Sequence, residues 1–144
     1  MKLIQLGITL SNTNGCSPSN PTWQFNFHFQ KDTDRSEPEA IKLLTEAGIN
    51  FDQLATDGID PKCFARHFSM SGLGSNKKLT WLAFNSKFDF AYLLNIFMPL
   101  PNTQSEFLLK IKDLCPRVFD VKHLGLGNLE RQLSQEGIRM LGQH

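Results

Sequence analysis

The sequence predicts an α/β domain. Three observations carry that expectation. Two early runs alternate apolar and polar residues with the period of a strand. Later segments space apolar residues three and four apart, the period of a helix. Short apolar runs lie between those helical segments. The chain is 144 residues and 16.3 kDa, a length that suits one domain. At 40% hydrophobic and 20% charged it has the apolar content for an ordinary core, and 12 Phe predict one packed with aromatic rings.

Residues 3–10 put Ile4, Leu6, Ile8 and Leu10 on one face. Residues 22–29 alternate more cleanly, with Trp23, Phe25, Phe27 and Phe29 opposite Gln24, Asn26 and His28. The turn-rich stretch between them, SNTNGCSPSNP, makes the pair an antiparallel hairpin. A helix follows near Pro38, with Ile41 and Leu44 on one face and Gly48 at its end. Asp60-Pro61 reads as an N-cap and first helical residue, opening a helix with Cys63, Phe64, His67 and Phe68 on one stripe and stopping near Gly72. Residues 79–84 lack alternation and read as an inner strand covered on both faces.

Phe90, Leu93, Leu94, Phe97 and Met98 then define the clearest helix, closed by Pro99 and Pro101. Residues 104–115 form another, with Phe107, Leu108, Ile111 and Leu114 inward, and Pro116 ends it. Residues 117–121 follow as a strand and 128–136 as a last helix. A hairpin feeding helices and strands in alternation is the pattern of a layered α/β fold.

Lys and Arg number 15 against 14 Asp and Glu, so net charge alone does not predict nucleic-acid binding; a local patch would have to supply it. The three cysteines, at 16, 63 and 115, have neither disulfide-framework nor zinc-ligand spacing, which predicts a reducing compartment. No apolar run has the length of a membrane span, and residues 3–10, interrupted by Gln5 and Thr9, read as a strand rather than a signal peptide.

Asp89 is the first candidate for chemistry. It follows an inner strand and falls in the first turn of a helix. Ligands of α/β sheets gather at the carboxyl ends of strands, so a carboxylate there is placed to hold a metal. An Asp in a first turn also complements the helix dipole without any further role; the residues alone leave both readings open. His67 reads as a core or boundary histidine, His28 as exposed, and Asp120 as a cap before Lys122 and His123. Lys77, Lys78, Lys110 and Lys112 read as solvated surface, with phosphate contact the alternative. No P-loop, G-x-G-x-x-G, G-x-S-x-G or H-E-x-x-H is present.

Six segments in order, LIQLGITLSN, TWQFNFHF, AIKLLTEAGINF, GIDPKCFARHFSMSGL, LTWLAFNSKFDFAYLL and CPRVFDVKHL, resemble the Caf/Pop deadenylase family. These are the nuclease subunits associated with the carbon-catabolite-repressor/NOT complex, and the wording is nearest to plant members. The resemblance implies an RNase H-like three-layer α/β/α fold with a mixed sheet. It implies a single domain over 1–144, incomplete at both ends and lacking the central first strand. The implied activity is 3′-to-5′ removal of poly(A) tails in mRNA decay, with Mg²⁺ or Mn²⁺ as cofactor. The implied partners are the poly(A) 3′ end of RNA, the complex scaffold and a second deadenylase subunit, in nucleus and cytoplasm and without a membrane.

Family members hold two divalent ions with four acidic residues, a D-x-E near the start and one Asp in each of two later motifs. A histidine in the last motif helps to activate water. Asp89, in FNSKFDFAYLL, matches the middle motif and is the implied metal ligand and catalytic residue. No D-x-E occurs; Asp32-Thr33-Asp34 is nearest, but it follows the second strand. His144, in LGQH, falls where the last motif's histidine stands, and the final Asp would lie beyond it. Asn85 and Lys87 flank Asp89, where the family usually has His and a small residue, and are the implied RNA contacts. Two expectations follow: a poly(A) exoribonuclease, or a catalytically inactive form, either a truncated relative that binds RNA or the complex or a gene fragment.

Overall fold

The computed structural model describes residues 2–86 and 88–123. Lys87, His144 and the helix expected over 128–136 lie outside them. The chain divides into two compact units, 1–63 and 64–144.

In the first unit β1 (Gln5–Thr9) pairs antiparallel with β2 (Thr22–Asn26), Gln5 opposite Asn26 and Ile8 opposite Trp23. Within the connecting loop the Asn12 carboxamide oxygen accepts the N–H groups of Asn14 and Cys16, and Gly15 takes the left-handed φ of +76° that its lack of a Cβ permits. The alternation predicted through residue 29 holds, but the ladder stops at Asn26. There the backbone gains a second partner: Phe27 N–H still donates to Ile4 O, while Phe27 bridges Ile59 in parallel, Ile59 N–H donates to Asn26 O and His28 N–H donates to Ile59 O. Burial rises along the run, from Trp23 at 44% exposure to Phe27 and Phe29 at 0 and 1%.

α1 (Pro38–Glu46) presents Ile41 and Leu44 to a core of Phe29, Phe51 and Leu54, with Ile4 and Ile49 alongside. Phe51 and Leu54 belong to α2 (Phe51–Asp57), which the sequence reading did not find. Its Asn50 N-cap accepts Gln53 N–H at 3.1 Å, and its 7 residues carry only one apolar repeat, too short to show a helical period. Gly58 ends α2 against the neighbouring backbone. A Cβ there would sit 2.3 Å from Leu54 O and 2.5 Å from the Cα and N of His28. α3 (Pro61–Met70) starts as predicted, with the Asp60 carboxylate accepting Cys63 N–H at 2.8 Å. The expected four-residue stripe is narrower. Phe64 and Phe68 are buried, whereas Cys63 and His67 are exposed, one residue and about 100° off that line.

In the second unit β3 (Trp81–Ala83) and β4 (Val118–Asp120) run parallel, with Trp81 opposite Val118, Leu82 opposite Phe119 and Ala83 opposite Asp120. Parallel neighbours need a crossover, which α4 (Asp89–Phe97) and α5 (Gln104–Leu114) provide. α4 buries Phe90, Ala91, Leu93 and Leu94, and α5 buries Phe107 and Ile111. Thr103 caps α5 by accepting Glu106 N–H while its hydroxyl donates to the Glu106 carboxylate. The Phe68 ring meets Phe97 at 5.5 Å and Trp81 at 5.9 Å between centroids. The Trp81 indole N–H is buried there with no hydrogen-bond partner among the described residues.

The expectation that β3 is covered on both faces is not met. Leu82 and Phe84 are 65% and 71% exposed and Phe119 is 44% exposed. Strand alternation turns Trp81, Ala83, Val118 and Asp120 to one side and these three to the other, and no described segment covers them. Among the described residues no helix is long and apolar enough to cross a membrane.

Candidate metal-binding site

The parallel register brings the carboxyl ends of β3 and β4 together, Ala83 opposite Asp120. The chain leaves β3 through a sharp turn in which Asn85 has φ +54°, a left-handed conformation that Asn tolerates better than most residues. That turn aims consecutive main-chain N–H groups at Asp120. One Asp120 oxygen accepts Asn85 N–H at 2.9 Å and Lys122 N–H at 3.0 Å; the other accepts Ser86 N–H at 2.8 Å and the Ser86 hydroxyl at 2.9 Å. A carboxylate offers about four lone-pair directions, so Asp120 is saturated. It is 6% exposed and Ser86 0%. Burial raises the Asp120 pKa, but the bonds from Ser86, Asn85 and Lys122 outweigh it and hold the group below the ordinary carboxylate value. The cap expected from the sequence is present in the Lys122 bond; the larger task, anchoring the turn 34 and 35 positions earlier, was not legible there.

Asp89 is the first residue of α4, on the same connection from β3. Its carboxylate is exposed and receives no hydrogen bond from the described residues. Partial burial first, and then the charge of Asp120, push its pKa above the ordinary value. The two acids therefore have opposite characters. Asp120 is closed by donors, and Asp89 is open, with its negative charge disfavoured by its surroundings. An open oxygen donor of that kind suits one position in the shell of a hard divalent ion. It is not a full set: no three His, Cys, Asp or Glu gather among the described residues.

Asn85 is exposed beside this position, and its side-chain oxygen accepts the Lys122 ammonium at 3.0 Å. Lys122 was not singled out in the sequence, since one lysine after a strand carries no signal of where it points. His28 is half-buried in the other unit, and Lys77, Lys78, Lys110 and Lys112 are exposed.

No protein-family model matches the chain. Curated proteins do, among them the following three. It is 40% identical over 127 residues to poly(A) ribonuclease pop2 of Schizosaccharomyces pombe, covering 86% of this chain and 38% of that protein. It is 40% identical over 133 residues to the probable CCR4-associated factor 1 homolog 7 of Arabidopsis thaliana, covering 86% and 48%. It is 39% identical over 127 residues to CCR4-NOT transcription complex subunit 7 of Caenorhabditis elegans, covering 86% and 41%. The chain belongs to the Pop2/CAF1 family. It spans less than half the length of these relatives. Among solved structures it is similar to S. pombe Pop2p with Mg²⁺ and Mn²⁺ bound, at a TM-score of 0.82 and 36% identity over 98% of this chain and 56% of that one. It is also similar to the RNase domain of yeast Pop2, at 0.75 and 35% over 82% and 46%. The α/β, RNase H-like class expected from the sequence is thus the fold of Pop2 RNase domains.

Proposed function

We propose that this Pop2/CAF1 chain is part of a poly(A)-specific 3′-to-5′ exoribonuclease that shortens messenger RNA tails within the CCR4-NOT complex, in nucleus and cytoplasm. One observation carries the reading: Asp89 is an open carboxylate at the carboxyl ends of a parallel strand pair, in a chain 40% identical to a poly(A) ribonuclease. Asp89 would hold Mg²⁺ or Mn²⁺ as one oxygen ligand. A bound ion supplies a Lewis acid that acidifies water and offsets charge at a phosphoryl group.

The chain's own residues do the rest. No donor among the described residues reaches the Asp89 carboxylate, and Asp120 fixes the turn that leads to it. Asn85 and Lys122 form a polar rim that suits an RNA phosphate, with Lys87 a further contact on the same connection. His144 is proposed, on the family pattern, as the histidine of the last motif. The C. elegans relative's name, a CCR4-NOT subunit, supports a complex scaffold and a second deadenylase subunit as partners.

A second reading, binding without cleavage, is favoured by one observation: among the described residues a single open carboxylate faces the site. The test is a 5′-labelled oligo(A) incubated with the purified chain and Mg²⁺ or Mn²⁺. Metal-dependent laddering that vanishes in Asp89→Ala supports the exonuclease. Retention of the oligonucleotide without shortening supports the second reading.

A further inference from the structure

We propose that Asp120 is a positioning residue of the cation site, locking the Asn85–Ser86 turn so that Asp89 is presented at the first position of α4, without itself coordinating the ion. This deepens the reading of Asp89 as a ligand and rests on it. The geometry excludes Asp120 from coordination. All four of its acceptor directions are taken, at 2.8–3.0 Å, by three main-chain N–H groups and one hydroxyl, and the residue is 6% exposed.

The same bonds fix the approach to Asp89. Asn85 stands at φ +54°, a left-handed conformation uncommon for L-residues though one that Asn tolerates. What holds it is a carboxylate on another strand, gripping two consecutive amides. In sequence only two residues, Lys87 and Phe88, separate that grip from Asp89, so the anchored turn stands close to the ligand along the chain. α4 has no side-chain N-cap of its own: Phe88 occupies that position and makes no capping bond. The helix start is therefore defined by the anchored turn before it. Asp120 also contributes a second negative charge near Asp89, which favours a cation without occupying its shell.

The test uses the 144-residue chain with Mn²⁺ as the probe. Mn²⁺ affinity is read from paramagnetic broadening of the amide signals of residues 88–91, alongside hydrogen exchange at the amides of Asn85 and Ser86. Asp120→Asn turns an amide donor toward donors; exchange at both amides should accelerate and Mn²⁺ affinity fall about tenfold, as for other groups that orient metal ligands. Ser86→Ala keeps both negative charges and removes one bond, and should weaken Mn²⁺ about threefold. It also decides the matter if Asp120→Asn fails to fold. Mn²⁺ affinity unchanged in these variants, or lowered in Asp120→Asn but not in Ser86→Ala, overturns the positioning role while leaving the ligand reading intact. Broadening that is absent from the wild type, or that persists in Asp89→Asn, removes the cation site and this proposal with it.

Discussion

Asp120 on β4 grips Ser86 twice across 34 positions of sequence, accepting its main-chain N–H at 2.8 Å and its hydroxyl at 2.9 Å. Both residues are buried, so neither bond has water as a ready substitute. Replacing Asp120 with Ala orphans donors that are out of reach of solvent. It should cost about 3 kcal/mol, against about 1 kcal/mol for Ser86→Ala. Urea unfolding of the two variants checks the ratio; equal costs would mean that the main-chain bonds contribute little.

Acid should loosen the same anchor. The Asp120 pKa lies below the ordinary carboxylate value in the folded chain, so its stabilisation is complete above the unfolded-state pKa of about 4 and is lost as pH falls through the folded one. The stability gap between wild type and Asp120→Asn is therefore expected to be constant from pH 7 to 5 and to close below pH 4. A gap that widened in acid would contradict the assignment.

Asp89 should behave with the opposite sign. Its folded pKa is raised, by partial burial first and by Asp120 second, so its ionisation works against folding once pH exceeds that value. Asp89→Asn is expected to raise the thermal midpoint at pH 7, with the gain fading as pH falls toward 4 and the wild-type acid protonates. Thermal scans at several pH values would show it.

Gly58→Ala tests the close approach of α2 to the β2 extension. Its new methyl meets backbone atoms at 2.3–2.5 Å, which cannot rotate away. A loss of about 3 kcal/mol is expected, at the upper end for overpacking. A change under about 0.5 kcal/mol, as at an open surface site, would refute the contact.

Leu94 and Phe119 separate core from open face. Leu94 is 0% exposed and Phe119 44%. Leu94→Ala should cost about 2–5 kcal/mol. Phe119→Thr should change stability by less than about 1 kcal/mol and reduce binding of a hydrophobic dye to the open side of the β3–β4 pair.

Period and punctuation carried most of the fold. The alternation of Trp23, Phe25, Phe27 and Phe29, the spacing of Phe90, Leu93 and Leu94, and Asp60-Pro61 each marked a real element, because a repeated pattern averages over local exceptions. α2 was lost for want of length. The burial of β3 was misjudged because an unbroken apolar run shows that a strand can be covered, not that it is.

The position of Asp89, in the first turn of a helix that follows a strand, was legible in the sequence. The service of Asp120 was not. It depends on a strand register and a positive φ at Asn85, neither of which a single sequence displays. Lys122 escaped for the same reason: its contact with Asn85 spans 37 positions.

The chain has two tryptophans, and the fold gives each unit one of them. Trp23 is 44% exposed on β2, whereas Trp81 has its indole N–H buried and its ring 5.9 Å from that of Phe68. An indole open to water emits to the red of one shielded by aromatic rings, so the red and blue parts of the native emission are expected from different halves of the chain. Iodide should quench the red component first. Loss of the blue component on its own would signal that the half carrying Asp89 had opened while the hairpin half stayed folded.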